Sequence, residues 1–288
     1  MTRNPEPLGA WGQDPRHFDP SSIAPALAVM DRFFGPDGPY PVETTGAEHL
    51  AAGPVLVVGN HSGGVVFLDG WGFAWWWGTH MFPRRPMGFL AHKMFFVRPR
   101  IAERFATWGA VEACPDTAMR ILRDHGRDAL VLPGGDVDVF RPYRERHRVC
   151  FDGRRGYARI ALRAGVPIVP MANTGAHASL IILRRGRRLA KAMRWDRAFR
   201  AHACPVSLTF PWGLTFGPVP HVPVPVRLRY RFGPPVELPK TWRSAAEPSA
   251  EAVEELDRRV RAATQEILNQ LACETPSLGE RLTRGLRR

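Results

Sequence analysis

Lysine is nearly missing from this chain, with three residues (Lys93, Lys191 and Lys240) against 37 arginines. Cysteine is sparse as well. Cys114, Cys150, Cys204 and Cys273 lie far apart and form no CxxC pair, which excludes a zinc site of familiar spacing and a disulfide scaffold. No apolar run is long enough for a membrane span, since the nearest, Val65 to Phe82, is broken by Asp69 and His80. No basic-then-apolar leader opens the chain, so a cytoplasmic protein is expected. Internal repeats are absent. So is a Gly-x-Ser-x-Gly elbow, and with it the usual way of presenting a serine nucleophile on an α/β sheet.

What is present fits a globular domain of 288 residues, 44% hydrophobic and 23% charged. The net charge of +13 favours anionic partners: phosphate groups, an anionic membrane surface or nucleic acid. Residues 1–20, polar and rich in Pro and Gly, are expected to form a flexible tail. The body is expected over 21–272, and 273–288 as a basic C-terminal tail.

The stretch that organises the rest is Val55-Leu-Val-Val-Gly-Asn-His-Ser-Gly-Gly-Val-Val-Phe-Leu-Asp69. Val55 to Val58 has the length and composition of a buried strand. That strand delivers His61 to a Ser62-Gly63-Gly64 loop, and Asp69 follows within reach. A carboxylate that fixes the tautomer of an imidazole, leaving its other nitrogen for substrate, makes a general base. The same residues are open to a plainer reading, a loop histidine and a helix-capping aspartate.

Strand and helix patterns then alternate, which predicts an α/β fold with a mostly parallel sheet flanked by helices. A helix is expected from Ser21-Ser22-Ile23 onward, with Ile23, Leu27, Met30, Phe33 and Phe34 on one face. The aromatic run Gly70 to Trp77 reads either as a core helix or as a lipid-contacting wall. Strands are expected at Val42–Gly46, Pro86–Ala91, Asp128–Pro133, Val166–Pro170 and Val226–Phe232. Leu183 to Arg200 reads as a basic amphipathic helix suited to a membrane surface, and Phe210 to Pro225 as an apolar, proline-rich, lipid-facing loop. A last amphipathic helix is expected over Glu251–Leu271.

Gly59-Asn60-His61-Ser62-Gly63-Gly64 through Asp69 resembles the first signature block of the glycerolipid/lysophospholipid acyltransferase superfamily. The commonest family form leaves four residues between His and Asp. Here seven intervene, as in a variant subgroup with a His-Ser-Gly-Gly loop. Pro133-Gly134-Gly135-Asp136 resembles the third block, where the usual Pro-Glu-Gly glutamate is absent and Asp136 or Asp138 stands in. Val166-Pro-Ile-Val-Pro170 resembles the fourth. Gly109-Ala-Val-Glu112 sits where the second block ends, at a return strand, so four blocks in order, over about 40–272, imply a glycerol-phosphate acyltransferase-like single domain.

The resemblance implies transfer of a fatty acyl group from acyl-CoA or acyl carrier protein to a glycerolipid hydroxyl, without cofactor or metal. His61 and Asp69 would be catalytic, and N–H groups of Ser62, Gly63 and Gly64, or of Gly134 and Gly135, would hold the oxyanion. Pro133, Gly134, Gly135, Asp136, Arg141, Arg154 and Arg155 would seat the acceptor, the two last also being readable as a solvated basic face. Asn173 and His177 are further candidates for the cleft. The implied partners are an acyl donor, a glycerolipid acceptor and the inner face of an anionic membrane, with no nucleic acid expected. The competitors are a lipid esterase, and a non-catalytic basic module that binds membrane or nucleic acid.

Overall fold

The computed structural model describes residues 10–50, 53–194, 204–239, 242 and 247–274. Two layers of helices flank one sheet. The chain enters through α1 (Ile23–Phe34) and β1 (Val42–Thr45), then runs through β2 (Leu56–Gly59), α2 (Leu68–His80) and β3 (Met87–Ala91). It continues as α3 (Pro99–Thr107), β4 (Ala110–Glu112), α4 (Pro115–Met119), β5 (Asp128–Val131) and α5 (Gly135–Val139). Helix α6 (Gly156–Ala164) leads into β6 (Ile168–Thr174), a small excursion follows, and β10 and a last helix close the domain.

The excursion comprises β7 (Ile181–Arg184), α7 (Arg187–Ala192), β8 (Val206–Thr209) and β9 (Gly213–Phe216); then come β10 (Leu228–Phe232) and α8 (Ala250–Glu274). The main sheet has the order β1-β10-β6-β2-β5-β3-β4, while β7-β8-β9 form a second, antiparallel sheet. All main-sheet pairings are parallel except β10 against β6. The sheet is therefore the mostly parallel one that the strand–helix alternation predicts.

Strand β2 is central and apolar along its whole length because both faces are covered. Leu56 and Val58 face α4, α6 and α8, whereas Val55 and Val57 face α1 and α2. The tryptophans of α2 resolve as core: Trp75, Trp76 and Trp77 are buried, and Trp76 packs on Phe232 with ring centres 5.5 Å apart. Burying such side chains stabilises by about 1.5–3 kcal/mol each. They hold α2, and Asp69 in its first turn, rigidly on the sheet.

Four expectations need correction. Residues from Ala10 onward are not a loose tail, because short 3-10 turns dock them on α3 and β4, with the Asp19 N–H donating to the Thr107 carbonyl at 3.0 Å. Leu183 and Arg184 belong to strand β7, and the helix is short, Arg187–Ala192; the part of that call at 195–200 lies outside the described residues. The expected loop at 210–225 begins as the end of a hairpin, β8–β9. The last helix extends to Glu274, and 275–288 lie outside the described residues.

Candidate active site

At the carboxyl ends of β2 and β6 the side chains of Asn60 and Asn173 clasp each other's backbone. Asn60 Oδ1 accepts from the Asn173 N–H at 2.8 Å, and Asn173 Nδ2 donates to the Asn60 carbonyl at 2.6 Å. Both are buried, and Ser62 Oγ donates to Asn173 Oδ1 at 2.9 Å. The clasp fixes where the chain leaves β2, and His61 is the next residue.

His61 is pinned from two sides. Its backbone N–H donates to Asp138 Oδ2 at 2.6 Å, and its Nδ1–H donates to Asp69 Oδ2 at 2.9 Å. Asp69 Oδ2 also accepts the Ser62 N–H at 2.7 Å, so one carboxylate orders both the imidazole and the loop that carries it. Nε2 makes no hydrogen bond among the described residues, and His61 is 9% exposed. The arrangement is a buried His–Asp pair with one nitrogen turned outward. Burial opposes the charged imidazole, but the Asp69 charge and hydrogen bond, with Asp138 behind, hold the His61 pKa above 6.5.

The longer spacing between His61 and Asp69 has a physical use. Gly63 and Gly64 adopt left-handed backbone (φ 92° and 64°), a 3-10 turn spans Gly64–Val66, and Phe67 is left-handed too (φ 52°). A bulky aromatic there is strained. The turn folds the extra residues away, returns Asp69 to His61, and stacks Phe67 on the imidazole with ring centres 5.6 Å apart and planes 20° from parallel. Phe67 is a site residue that the sequence reading did not single out; its only signal was the unusual loop length.

Beneath the loop lies a charged network that sequence also missed in this form. Asp138 is fully buried and paired with the equally buried Arg141, whose Nη2 donates to His177 Nε2 at 2.7 Å. Burial, with some opposition from Arg141, raises the Asp138 pKa, and burial followed by the Arg141 charge lowers that of His177 well below 6.5. Neutral His177 is thus an acceptor for Arg141, and Arg141 is an internal counter-ion. Neither is turned toward an acceptor lipid, which corrects the expectation for Arg141. Asn173 likewise belongs to the clasp.

The Pro133-Gly134-Gly135 loop follows β5, beside β2. Gly134 is needed for close packing, since a Cβ there would lie 2.2 Å from Asp138 Cβ, and Gly135 for its left-handed backbone (φ 50°) under Arg154. Arg154 bonds the Pro133 carbonyl at 3.2 Å and Asp136 at 2.9 Å while staying exposed, so a guanidinium does lie over this loop. Arg155 turns away to Glu254 and Asp257 of α8. His92 was also passed over; burial and Lys93 lower its pKa, and it feels the charges of Asp136 and Arg154.

Two of the expected oxyanion donors are already engaged, the Ser62 N–H with Asp69 and the Gly135 N–H with the Leu132 carbonyl. The N–H groups of Gly63, Gly64 and Gly134 make no hydrogen bond among the described residues. Among those residues, too, no cluster of three or more His, Cys, Asp or Glu converges as for a metal.

A three-layer α/β domain with a His–Asp pair at the carboxyl ends of its parallel strands defines the class. Residues 41–174, which include His61, Asp69, Asp138, Arg141 and Asn173, match the Acyltransferase family model. Over this stretch the chain is similar to the acyltransferase family. It is 32% identical over 227 residues to an uncharacterized protein of Mycobacterium tuberculosis and 31% identical to one of Mycobacterium leprae. Those matches cover 78% of this chain but 59% and 57% of the relatives, so the chain spans less than two thirds of their length. Its fold is also similar to the crystal structure of the 1-acyl-sn-glycerophosphate (LPA) acyltransferase PlsC from Thermotoga maritima, at 15% identity and a TM-score of 0.46 over 86% of this chain and 77% of that one.

Proposed function

We propose that this protein transfers a fatty acyl group from a thioester donor, acyl-CoA or acyl carrier protein, to a hydroxyl of a glycerolipid or lysophospholipid. The observation that carries the proposal is the His61–Asp69 pair, buried but open at Nε2, inside the acyltransferase-family domain. His61 Nε2 takes the acceptor's hydroxyl proton as the oxygen attacks the thioester carbonyl. Asp69 holds the tautomer with the proton on Nδ1 and stabilises the imidazolium that forms. The N–H groups of Gly63, Gly64 and Gly134, unlike those of Ser62 and Gly135, are available to the oxyanion. Collapse of the tetrahedral intermediate expels the thiolate, which takes the proton from His61. Arg154, above the Pro133-Gly134-Gly135 loop, is the guanidinium best placed for a phosphate on the acceptor.

The structure disfavours an esterase that uses Ser62, because Ser62 is fully buried and its hydroxyl donates to Asn173 rather than to His61. The test is to supply acyl-CoA and acyl carrier protein donors with a panel of lysophospholipids, glycerol phosphate and mono- and diacylglycerol, and to identify products by mass spectrometry. An acylated lipid is expected; free fatty acid alone would mean hydrolysis and overturn the proposal.

A further inference from the structure

The small sheet is built inside out. In an antiparallel sheet with one covered face, polar side chains normally face water and apolar ones face the protein. In β8 and β9 the alternation is reversed: Ser207, Thr209 and Thr215 are buried, whereas Leu208, Leu214 and Phe216 point outward. Phe210 and Trp212, at the turn, are exposed as well, and these five side chains are 50–62% exposed. Leu208 lies directly opposite Leu214, and Val206 opposite Phe216, so the apolar side chains share one face.

Two of the three inward hydroxyls are satisfied internally, Thr215 donating to the Ser207 carbonyl at 3.2 Å and Thr209 to the Gly213 carbonyl at 3.3 Å. Even the Trp212 Nε1–H is taken by the Pro220 carbonyl at 2.8 Å. These three side-chain donors therefore need no water on the hairpin's outer side. Apolar-out, polar-in strands with an aromatic at the rim are the pattern of a surface whose solvent is lipid.

Charge selects the occupant. The flanking β7 and α7 expose Arg184, Arg188, Lys191 and Arg194, none with a carboxylate partner among the described residues, beside exposed Leu189 and Met193. Arg184 lies opposite Val206 of β8, and basic side chains beside an apolar face are complementary to anionic head groups over acyl chains. The inner side of the same sheet reaches the site. Leu180 and Ile182 pack with Val65 and Phe67, and Phe67 stacks on His61.

We infer that the outer face of the β8–β9 hairpin, fringed by α7, inserts into the interface of an anionic lipid bilayer and sets His61 beside the membrane. The inference deepens the glycerolipid proposal and rests on it for the purpose of docking. The test compares the wild type with the triple variant Phe210→Ser, Trp212→Ser, Phe216→Ser, all at exposed positions, with a melting curve recorded for both proteins as the folding control. Each is sedimented with vesicles of phosphatidylcholine alone or mixed with phosphatidylglycerol, and each is assayed on a water-soluble, short-chain acceptor.

The expected result is preferential binding of the wild type to the anionic vesicles, a loss of roughly ten-fold or more in the variant, and equal turnover of the soluble acceptor. Undiminished vesicle binding by the variant would overturn the inference. So would a concentration-dependent dimer of the wild type that the variant abolishes, since a second copy would then be the occupant. Hairpin-dependent vesicle binding without turnover by the wild type would support the docking surface and count against the acyltransferase proposal instead.

Discussion

His61 depends on groups it does not share with substrate, and each gives a separable outcome. His61→Ala removes the base and is expected to lower turnover by about 10²–10⁴-fold, measured as product formed per enzyme. In the proposed general-base role the neutral imidazole is the active form, and its pKa is held above 6.5. The rate therefore rises with pH along a limb whose midpoint lies above 6.5. Asp69→Asn removes the charge that raises this pKa and leaves the burial that lowers it, so the limb should move to lower pH while turnover falls. A pH–rate profile showing the limb unmoved would contradict the pairing. Arg141→Met leaves Asp138 buried without its counter-ion, at an expected cost of about 3–5 kcal/mol in denaturant unfolding. Of these residues, His61, Asp69, Arg141 and Arg154 were legible in the sequence as candidates. Arg141 was assigned outward because sequence shows a charge but not its burial, and the burial comes from α5 packing under the loop, three residues before it.

At the scale of elements, the loop from Gly63 to Phe67 decides whether Asp69 reaches His61. Gly64 has φ 64°, and a Cβ there would sit 2.3 Å from Leu180 Cδ2. Gly64→Ala is expected to destabilise by about 1–3 kcal/mol and to reduce turnover, as read by thermal unfolding and product assay. Helix α8 contributes to the opposite side of the sheet, where Leu256 is fully buried. Leu256→Ala should cost about 2–5 kcal/mol in unfolding without moving the pH limb, because it touches no group of the site. Strands β1 to β3, β5, β6 and β10 were readable from short apolar or alternating runs, β4 from its place in the family's second block, and the long last helix from its periodicity. The excursion was not. Its apolar-out hairpin breaks the rule by which periodicity is translated into burial, so the sequence suggested a loop, and β7 was hidden inside a run of arginines that resembles a helix face.

Over the whole molecule, the central sheet gathers the ends of β2, β5 and β6 at one edge, where open α/β sheets bind ligands. The net charge of +13, carried almost wholly by arginine, agrees with a membrane-surface enzyme, and no helix among the described residues is long and apolar enough to cross a bilayer. The single measurement that bears most directly on the account is a paired assay of wild type and His61→Ala with acyl thioesters and the glycerolipid panel, read by mass spectrometry. A new acylated lipid made by the wild type and lost in the variant is the expected result. The same product formed at an unchanged rate by His61→Ala, or no acylated lipid from the wild type with either donor, would contradict it.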